Sequence, residues 1–260
     1  MFEPIADLKS ARILVSNDDG IDAPGIKLLE KVARTLCDDV WVVAPATEQS
    51  AVAQSLTVRR PLRIHQHSEF RFSVDGTPTD SVLLGVRQIL KDRKPTLLLS
   101  GVNRGGNMGD DVTYSGTVAA AMEGTLLGIP SIAFSQYFED RHPVKWATAE
   151  HWAPDVIRRL CSIGWAKNVL MNVNFPDVLH GSVHGIVAAR QGKRALADAV
   201  TERQDPRGDA YYWIGGQRAK DLGQPGSDLD AVGCACVSVT PLCVDFTHAE
   251  CLHRLENILG

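Results

Sequence analysis

The stretch R-I-L-V-S at Arg12–Ser16 ends directly in the polar turn N-D-D-G at residues 17–20. A short apolar run bounded by turn residues is typical of a strand buried in a parallel sheet. Apolar residues then recur at helical spacing in residues 26–36, and we expect Asp22 to cap that helix. A second buried run, V-W-V-V-A, follows at residues 40–44. Strand, helix and strand in this order predict a right-handed βαβ unit.

The same alternation of apolar runs and helical patterns continues to about residue 180. Further helices are predicted at residues 81–90, 115–127 and 152–163, and further strands at residues 97–99, 131–135 and 169–173. The first of these strands opens into a glycine-rich loop at residues 101–109. Strands that alternate with helices predict an α/β fold, in which a sheet carries helices on both faces.

The last part of the chain, from about residue 181, has a different composition. Its middle, residues 191–230, is rich in Gly, Asp, Arg and Gln. Strands and a closing helix are predicted around it, at residues 184–189, 236–240 and 249–259. We interpret residues 181–260 as extended hairpins or an oligomerisation arm, attached to a core of about residues 1–180. The whole of residues 1–260 is therefore predicted to form a single domain.

The composition limits the classes of function. The chain has 260 residues, is 44% hydrophobic and carries a formal net charge of −4, with a pI near 6.1. A net negative charge argues against a nucleic-acid backbone as the main partner. It permits a small phosphate ester as substrate, since such a ligand needs only a local positive field.

Other features bear on the compartment. The six cysteines form no C-x-x-C pair, which favours ordinary buried thiols in a reducing compartment. The N-terminus has no basic run followed by an apolar stretch, and no apolar run approaches the roughly 20 residues of a membrane helix. We therefore expect a cytoplasmic protein that has no contact with a membrane.

Three polar clusters follow predicted strands, which is where ligands of open α/β sheets bind. The first is the turn N-D-D-G, in which the adjacent carboxylates of Asp18 and Asp19 repel each other. A bound cation would relieve that repulsion. An aspartate in a turn also commonly caps the turn or the next helix. From the residues alone, a metal site and a turn cap both remain open.

The second cluster, A-P-A-T-E-Q-S at residues 44–50, ends in Ser50. This serine is a metal ligand, a nucleophile or simply a loop hydroxyl. No histidine stands near it in sequence, and the chain has no G-x-S-x-G elbow. A Ser–His hydrolase therefore gains no support.

The third cluster, S-G-V-N-R-G-G-N-M-G-D-D at residues 100–111, leads into Ser115, Gly116 and Thr117 at a predicted helix start. The free backbone N–H groups of a helix start, together with Ser and Thr hydroxyls, form an anion site. A helix cap beside a surface loop is the alternative, but a loop this long in a compact domain is usually functional. The chain has no G-x-x-x-x-G-K-[ST] motif, and its first βα turn lacks the G-x-G-x-x-G pattern of dinucleotide sites.

The candidate ligands in these clusters are carboxylate, hydroxyl and amide oxygens, without Cys or His. Oxygen donors favour Mg²⁺, Mn²⁺ or Ca²⁺ over zinc. The D-x-D pair Asp228 and Asp230 lies in the polar segment and not after a core strand, where an aspartyl nucleophile would be expected. No covalent phospho-enzyme is therefore required.

Together these clusters resemble the SurE family of metal-dependent nucleoside-monophosphate phosphatases. The match is strongest in S-G-V-N-R-G-G-N-M-G-D-D-V-T-Y-S-G-T-V-A-A-A-M-E-G at residues 100–124. Matching motifs elsewhere are L-V-S-N-D-D-G-I-D-A-P-G-I at residues 14–26, the A-P…S…L-T stretch at 44–57, G-T-P-T-D-S-V at 76–82, D-P-R-G at 205–208, Y-Y-W-I-G at 211–215 and V-S-V-T-P-L at 237–242. The resemblance therefore spans nearly the whole chain.

The resemblance implies a Rossmann-like, mostly parallel sheet and a homodimer or homotetramer built by exchanged C-terminal elements. It also implies one divalent metal per subunit, Mg²⁺ or Mn²⁺, held by the two aspartates of the turn, the loop serine and the asparagine of S-G-V-N. These implied metal ligands are Asp18, Asp19, Ser50 and Asn103. One departure from the family pattern is Ala51, which follows Ser50 where the family usually has glycine.

The expected reaction is hydrolysis of a nucleoside monophosphate to nucleoside and phosphate by metal-activated water. Asp18 or Asp19 would act as the catalytic residue by orienting that water. Phosphate binding is assigned to the helix start and the glycine-rich loop, at Asn107, Ser115, Gly116 and Thr117. Two alternatives remain open, namely hydrolysis of short polyphosphate, which some family members trim, and a non-catalytic nucleotide sensor.

Overall fold

The computed structural model describes residues 1–139, 142–193, 200–214 and 223–260. Gly215, the last residue of the Y-Y-W-I-G motif, lies outside these residues, as do parts of the polar stretch 191–230.

Strands and helices alternate along the chain as predicted. The strands are β1 (Arg12–Ser16), β2 (Asp39–Pro45), β3 (Ile64–Ser68), β4 (Arg71–Val74), β5 (Leu97–Arg104), β6 (Ser131–Gln136), β7 (Val169–Phe175), β8 (Gly185–Ala188), β9 (Val200–Gln204), β10 (Ala210–Ile214) and β11 (Cys236–Cys243). The α-helices are α1 (Pro24–Arg34), α2 (Pro78–Leu84), α3 (Gly116–Leu126), α4 (Trp146–Ile163), α5 (Asp228–Gly233) and α6 (Ala249–Leu259). None of the helices in the described ranges is long and apolar enough to span a bilayer.

The main sheet has the strand order β3-β4-β2-β1-β5-β6-β7-β11-β8. Neighbouring strands pair in parallel, except that β3 with β4 and β7 with β11 are antiparallel. β2 lies on one side of β1 and β5 on the other, so the direction of winding reverses between β1 and β5. In open α/β sheets such a reversal opens a ligand-binding crevice at the carboxyl ends of the strands. The predicted mostly parallel, Rossmann-like sheet is confirmed.

Helices cover both faces of this sheet, as predicted. α1 and α4 pack on one face, where Ile26, Leu29 and Ile157 are fully buried. α2 and α3 pack on the other face and contribute Val82 and Ala120 to its core. These two cores hold β1 and β5 from both sides, which fixes the carboxyl ends of those strands.

The strand predicted at residues 97–99 is longer in the structure, because β5 continues to Arg104. Gly101 was predicted to begin the loop, since glycine is depleted in strands, but it lies inside β5 at a register shift against β6. Its φ of +121° suits glycine, and a Cβ there would lie 2.3 Å from the carbonyl oxygen of Phe134. The loop itself therefore begins only at Gly105.

Two helix predictions also need correction. α4 begins at Trp146 rather than at residue 152, so Pro154 lies inside the helix. Packing of α4 on α1 keeps the turns before this proline helical. The helix predicted at residues 81–90 is divided into α2 and a π-helical turn at Gly85–Ile89.

The expectation that Asp22 caps the first helix was wrong. The residue before α1 is Ala23, and no side chain caps this helix. α2, in contrast, starts with a capping box formed by Thr77 and Asp80. The spacing T-P-T-D signals such a box, so this cap could have been read from the sequence.

The C-terminal segment is partly integrated into the sheet and partly exposed. β8 and β11 extend the main sheet beyond β7, whereas β9 and β10 form a separate antiparallel hairpin. α6 has the predicted bounds, and none of its residues is buried. The expected hairpin and closing helix are present, while their role in oligomerisation stays a prediction.

Candidate active site

The turn after β1 is held by its own side chain and by the neighbouring strand. Asn17 is buried, and its Nδ2 donates to the carbonyl of Gly20 at 2.9 Å. The N–H of Ile21 donates to the carbonyl of Pro45, at the end of β2, at 2.8 Å. These bonds fix the two aspartates of the turn at the carboxyl end of β1, where the winding of the sheet reverses.

Asp18 is packed against the start of α3. It is 5% exposed, and the hydroxyl of Thr117 donates to its Oδ1. A Cβ at Gly116 would lie 2.7 Å from the Cβ of Asp18 and 2.9 Å from its Oδ2, which is closer than non-bonded atoms approach. Only glycine therefore allows α3 to begin this close to the carboxylate. The first and third polar clusters of the sequence are in direct contact.

Burial dominates the electrostatics of both aspartates. The pKa of Asp18 is raised to about 6, chiefly by burial and further by the charge of Asp19, while hydrogen bonds from Thr117 oppose the change. The pKa of Asp19 is also raised, again chiefly by burial. The N–H of Arg104 lowers this second pKa and the charge of Glu48 raises it. A cation bound between the two carboxylates would favour the ionised form of both.

The end of β5 forms another wall of the site. The N–H of Arg104 donates to Oδ2 of Asp19 at 3.2 Å, so the strand touches the turn. The preceding residue, Asn103, is partly buried, and its Nδ2 donates to the carbonyl of Gly105 at 2.9 Å. This bond directs the amide nitrogen into the loop, which leaves Oδ1 as the atom of Asn103 suited to a cation.

The loop that carries Ser50 adjoins the turn. The N–H of Gln49 donates to the carbonyl of Asp18 at 2.8 Å. Ser50 itself is exposed, and its Oγ donates to Oε1 of Glu48 at 2.8 Å. Ala51 has a φ of 59°, a left-handed conformation that glycine adopts more readily. The loop therefore lies against the turn, but its serine is bonded to Glu48, a residue that was not predicted to belong to the site.

The helix start predicted to bind phosphate already makes internal bonds. Ser115 caps α3, since its Oγ accepts the N–H of Val118 at 3.1 Å. The hydroxyl of Thr117 is bonded to Asp18. The first N–H groups of a helix have no partner within it. The N–H of Val118 bonds Ser115 and that of Thr117 bonds Asp18, so the anion-binding capacity of this helix start rests on the N–H of Gly116 and on the helix dipole.

Asn107 is held by two asparagines of β7. Its N–H donates to Oδ1 of Asn174 at 2.8 Å, and its carbonyl accepts from Nδ2 of Asn172 at 2.8 Å. Its own Nδ2 donates to the hydroxyl of Ser135 at 2.8 Å. The glycine-rich loop is therefore anchored on the sheet at this residue. Neither asparagine was predicted from the sequence, although N-V-N within V-L-M-N-V-N-F places two polar side chains on one face of a strand.

The donors gathered at the turn fit a hard divalent cation. Asp18 and Asp19 share the turn, and Asn103 adjoins the residue whose N–H bonds Asp19. Across the described ranges, no three His, Cys, Asp or Glu side chains are grouped in a way that could hold a metal ion. Neutral Ser or Asn oxygens would therefore have to complete the carboxylate pair, and Mg²⁺ and Mn²⁺ accept such a donor set.

A comparison with protein families agrees with this arrangement. Residues 13–198 match the family model described as survival protein SurE. The chain belongs to the SurE family. The matched range contains the turn, the Ser50 loop, the glycine-rich loop and the start of α3, so the resemblance inferred from the motifs is confirmed.

Similar proteins cover nearly the full chain. The 5′-nucleotidase SurE of Paramagnetospirillum magneticum is 66% identical over 256 residues, 98% of this chain and 98% of the relative. The 5′-nucleotidase SurE of Rhodospirillum rubrum is 54% identical over 262 residues, 99% of each chain. The crystal structure of the SurE protein from Aquifex aeolicus is 39% identical with a TM-score of 0.84, and the match covers 96% of this chain and 100% of that one.

Proposed function

We propose that this chain is a metal-dependent 5′-nucleotidase, which hydrolyses nucleoside monophosphates to nucleoside and phosphate. The observation that carries the proposal is the contact between Asp18 and the start of α3 at Gly116. This contact joins a carboxylate pair to a helix N-terminus, so a cation and the positive end of the helix dipole can act on one phosphate group. The names of the relatives from P. magneticum and R. rubrum support the substrate class.

One divalent cation per subunit, Mg²⁺ or Mn²⁺, would be held by Asp18, Asp19, Ser50 and Asn103. Ser50 would take part by exchanging its bond to Glu48 for the cation. When bound there, such a cation would supply polarisation of a phosphoryl oxygen and a lower pKa for the attacking water. The raised pKa values of the two aspartates support this assignment, because both carboxylates gain from a nearby positive charge.

The protein's own residues orient the reactants. Asp18 and Asp19 orient the attacking water, while the hydroxyl of Thr117 and the N–H of Arg104 hold the two carboxylates in place. The N–H of Gly116 and the dipole of α3, with Asn107 in the adjacent loop, would hold the remaining phosphoryl oxygens. This arrangement positions the ester and stabilises the charge that develops on it.

We further propose one domain over residues 1–260, in which residues 181–260 pair with another copy to form a homodimer or homotetramer. Exposed apolar side chains on α6 and β10, among them Leu255, Ile258 and Trp213, support this role. The six cysteines are free thiols, which suits a cytoplasmic location.

The test is phosphate release from nucleoside monophosphates and from short polyphosphate, each with Mg²⁺, Mn²⁺ or a chelator. We expect release from nucleoside monophosphates that depends on the metal. Release of phosphate from polyphosphate alone would contradict the proposal and indicate an exopolyphosphatase. Nucleotide binding without release would instead indicate a non-catalytic sensor.

Asp18→Asn removes one carboxylate with little change in shape. We expect kcat at saturating metal to fall by at least about 10³-fold, because a ligand and water-orienting group is lost. The matched control is Asp22→Asn, which changes a side chain that is 87% exposed in the same segment and should leave turnover unchanged. Wild-type turnover in the Asp18 variant would contradict the assignment.

A further inference from the structure

The D-x-D pair of the C-terminal segment contains a buried carboxylate that the proposed mechanism does not use. Asp228 is the first residue of α5 and is fully buried. Within the described ranges, no Lys or Arg side chain forms an ion pair with it. A buried charge of this kind is tolerated only when hydrogen bonds replace the lost water.

Backbone N–H groups supply those hydrogen bonds. Oδ2 of Asp228 accepts the N–H of Gly109 at 3.0 Å. Oδ1 accepts the N–H of Gly192 at 2.9 Å and that of Leu229 at 2.9 Å. Hydrogen bonds to an ionised acceptor are stronger than neutral ones. One carboxylate therefore joins three stretches of chain, and one of these is the glycine-rich loop.

Gly109 is bound by the C-terminal segment on both of its backbone groups. Its N–H goes to Asp228, and its carbonyl accepts from Nε2 of Gln191 at 2.9 Å. Two residues earlier, Asn107 is bound on both backbone groups by the asparagines of β7. The loop thus has one anchor on the sheet and a second anchor on the C-terminal segment.

The second anchor lies directly before the phosphate-binding elements. Gly109 begins the 3₁₀ turn Gly109–Thr113, and that turn leads into Ser115 at the cap of α3. A displacement of Gly109 is therefore transmitted to the helix start over a short, tightly wound stretch. Because rate depends steeply on the position of reacting groups, a shift of about 1 Å can cost about 100-fold.

We propose that Asp228 is a positioning residue for this site, and that through it the C-terminal segment completes the phosphate-binding loop. The inference rests on the proposed nucleotidase function. Asp228 touches neither the ester nor the cation; it acts through Gly109. Gln191 supports the same contact from the exposed side.

The test compares Asp228→Asn with Asp230→Asn. The first change places an amide nitrogen against backbone N–H groups and removes at least one acceptor for them. The second alters a carboxylate of the same helix that binds Gly226 and does not reach the loop. We expect kcat/KM for a nucleoside monophosphate to fall about 10- to 100-fold in the Asp228 variant and less than about threefold in the control.

Two further readouts separate positioning from a purely structural role. Inhibition by inorganic phosphate should weaken about 10-fold in the Asp228 variant, whereas Mn²⁺ affinity should stay within about threefold, because the metal ligands lie on other elements. Gln191→Ala changes an exposed side chain. It should lower kcat/KM and weaken phosphate inhibition as Asp228→Asn does, but by a smaller factor. This variant serves as the test if Asp228→Asn fails to fold.

Equal kcat/KM and phosphate inhibition in the Asp228 and Asp230 variants would overturn the inference. So would wild-type values in Gln191→Ala when the Asp228 variant is unfolded. A wild-type protein that releases no phosphate under any metal condition would instead refute the proposed function. Binding of inorganic phosphate to the same variants would still decide whether Asp228 positions the loop.

Discussion

The region of the turn after β1 and the C-terminal helix α6 differ in how far their apolar side chains are buried. Ile13, Leu14 and Val15, which precede the turn, are fully buried, whereas no residue of α6 is buried and Ile258 is 79% exposed. Burial of apolar surface is the main favourable term in folding. The buried strand before the turn therefore holds the turn in place within one copy of the chain. α6 gains comparable stabilisation only when another surface covers it. The proposed site and the expected assembly surface therefore occupy separate parts of the chain.

Among the tests of this comparison, a change at the start of α3 has the largest expected effect on catalysis. Gly116→Ala would place a methyl group 2.7 Å from the Cβ of Asp18, so either the carboxylate or the helix must move. We expect kcat/KM to fall at least about 100-fold, while association between copies is unchanged. Gly181→Ala is the matched control, since no atom in the described part of the chain lies within 4 Å of a Cβ there. Steady-state kinetics on both variants check this, and a Gly116 variant within about threefold of wild type would contradict it.

An effect on assembly, with a smaller change in activity, is expected from α6. Leu252→Asp combined with Leu255→Asp changes two exposed apolar side chains three residues apart, on one face of the helix. Each leucine contributes roughly 1.5–3 kcal/mol when buried, so the dissociation constant between copies should rise about 100-fold or more. Activity per subunit should fall much less. Sedimentation at several concentrations measures this.

The control for the α6 experiment is Asn257→Asp, which adds a charge at an exposed polar position of the same helix. Its association should match that of the wild type at moderate salt. If the double leucine variant also associates normally, α6 is not the contact between copies. The difference between the turn and α6 then does not extend to assembly.

The contrast also explains how much of the fold was readable from the sequence. β1, β2, β6 and β7 are apolar runs between turn residues, and their local pattern alone identified them. β3 carries I-H-Q-H-S with every residue exposed, so no alternation marks it as a strand, and it was missed. The strands of the core can be predicted from their local sequence pattern, whereas strands at the edge of the sheet form only because of the strands beside them.

The candidate site follows the same rule. The carboxylates of Asp18 and Asp19 are visible in one short motif, and the family resemblance groups them with Ser50 and Asn103. The reason for glycine at position 116 appears only when α3 meets the turn. Asp228 likewise bonds a loop that is far away in the sequence, and the residues next to Asp228 in the sequence do not indicate Gly109 as its partner.

A third prediction concerns stability without metal. Burial raises the pKa of Asp18 to about 6 from an ordinary value of 3.8, so the folded state binds the proton more tightly than the unfolded state. The resulting destabilisation is absent below about pH 4, grows as the pH rises toward 6 and is constant above that. Asp18→Asn should therefore raise the free energy of unfolding at pH 7.5 by on the order of 2 kcal/mol, about 4–8 °C in Tm.

Thermal melts in chelator at pH 7.5 and at pH 4 measure this difference, which should be small at the lower pH. Mn²⁺ should stabilise the wild type and have little effect on the Asp18 variant if the ionised carboxylate of Asp18 is a metal ligand, as proposed. Asp22→Asn should melt as the wild type does under each condition. An Asp18 variant that is less stable than the wild type in chelator at pH 7.5 would show that the buried charge is already compensated.

The smallest expected effect lies at the departure from the family pattern. Ala51 has a φ of 59°, a conformation in which an alanine is strained by roughly 1 kcal/mol relative to glycine. Ala51→Gly should relieve that strain at the cost of greater freedom in the unfolded chain, for a net gain of about 0.5 kcal/mol and about 1–2 °C in Tm. Ala46→Gly in the same loop is the control, since Ala46 has no positive φ and glycine there should lower Tm. A gain in Tm without a change in the metal dependence of kcat would show that residue 51 affects only the stability of the Ser50 loop. A change in metal affinity would instead show that residue 51 sets the orientation of Ser50.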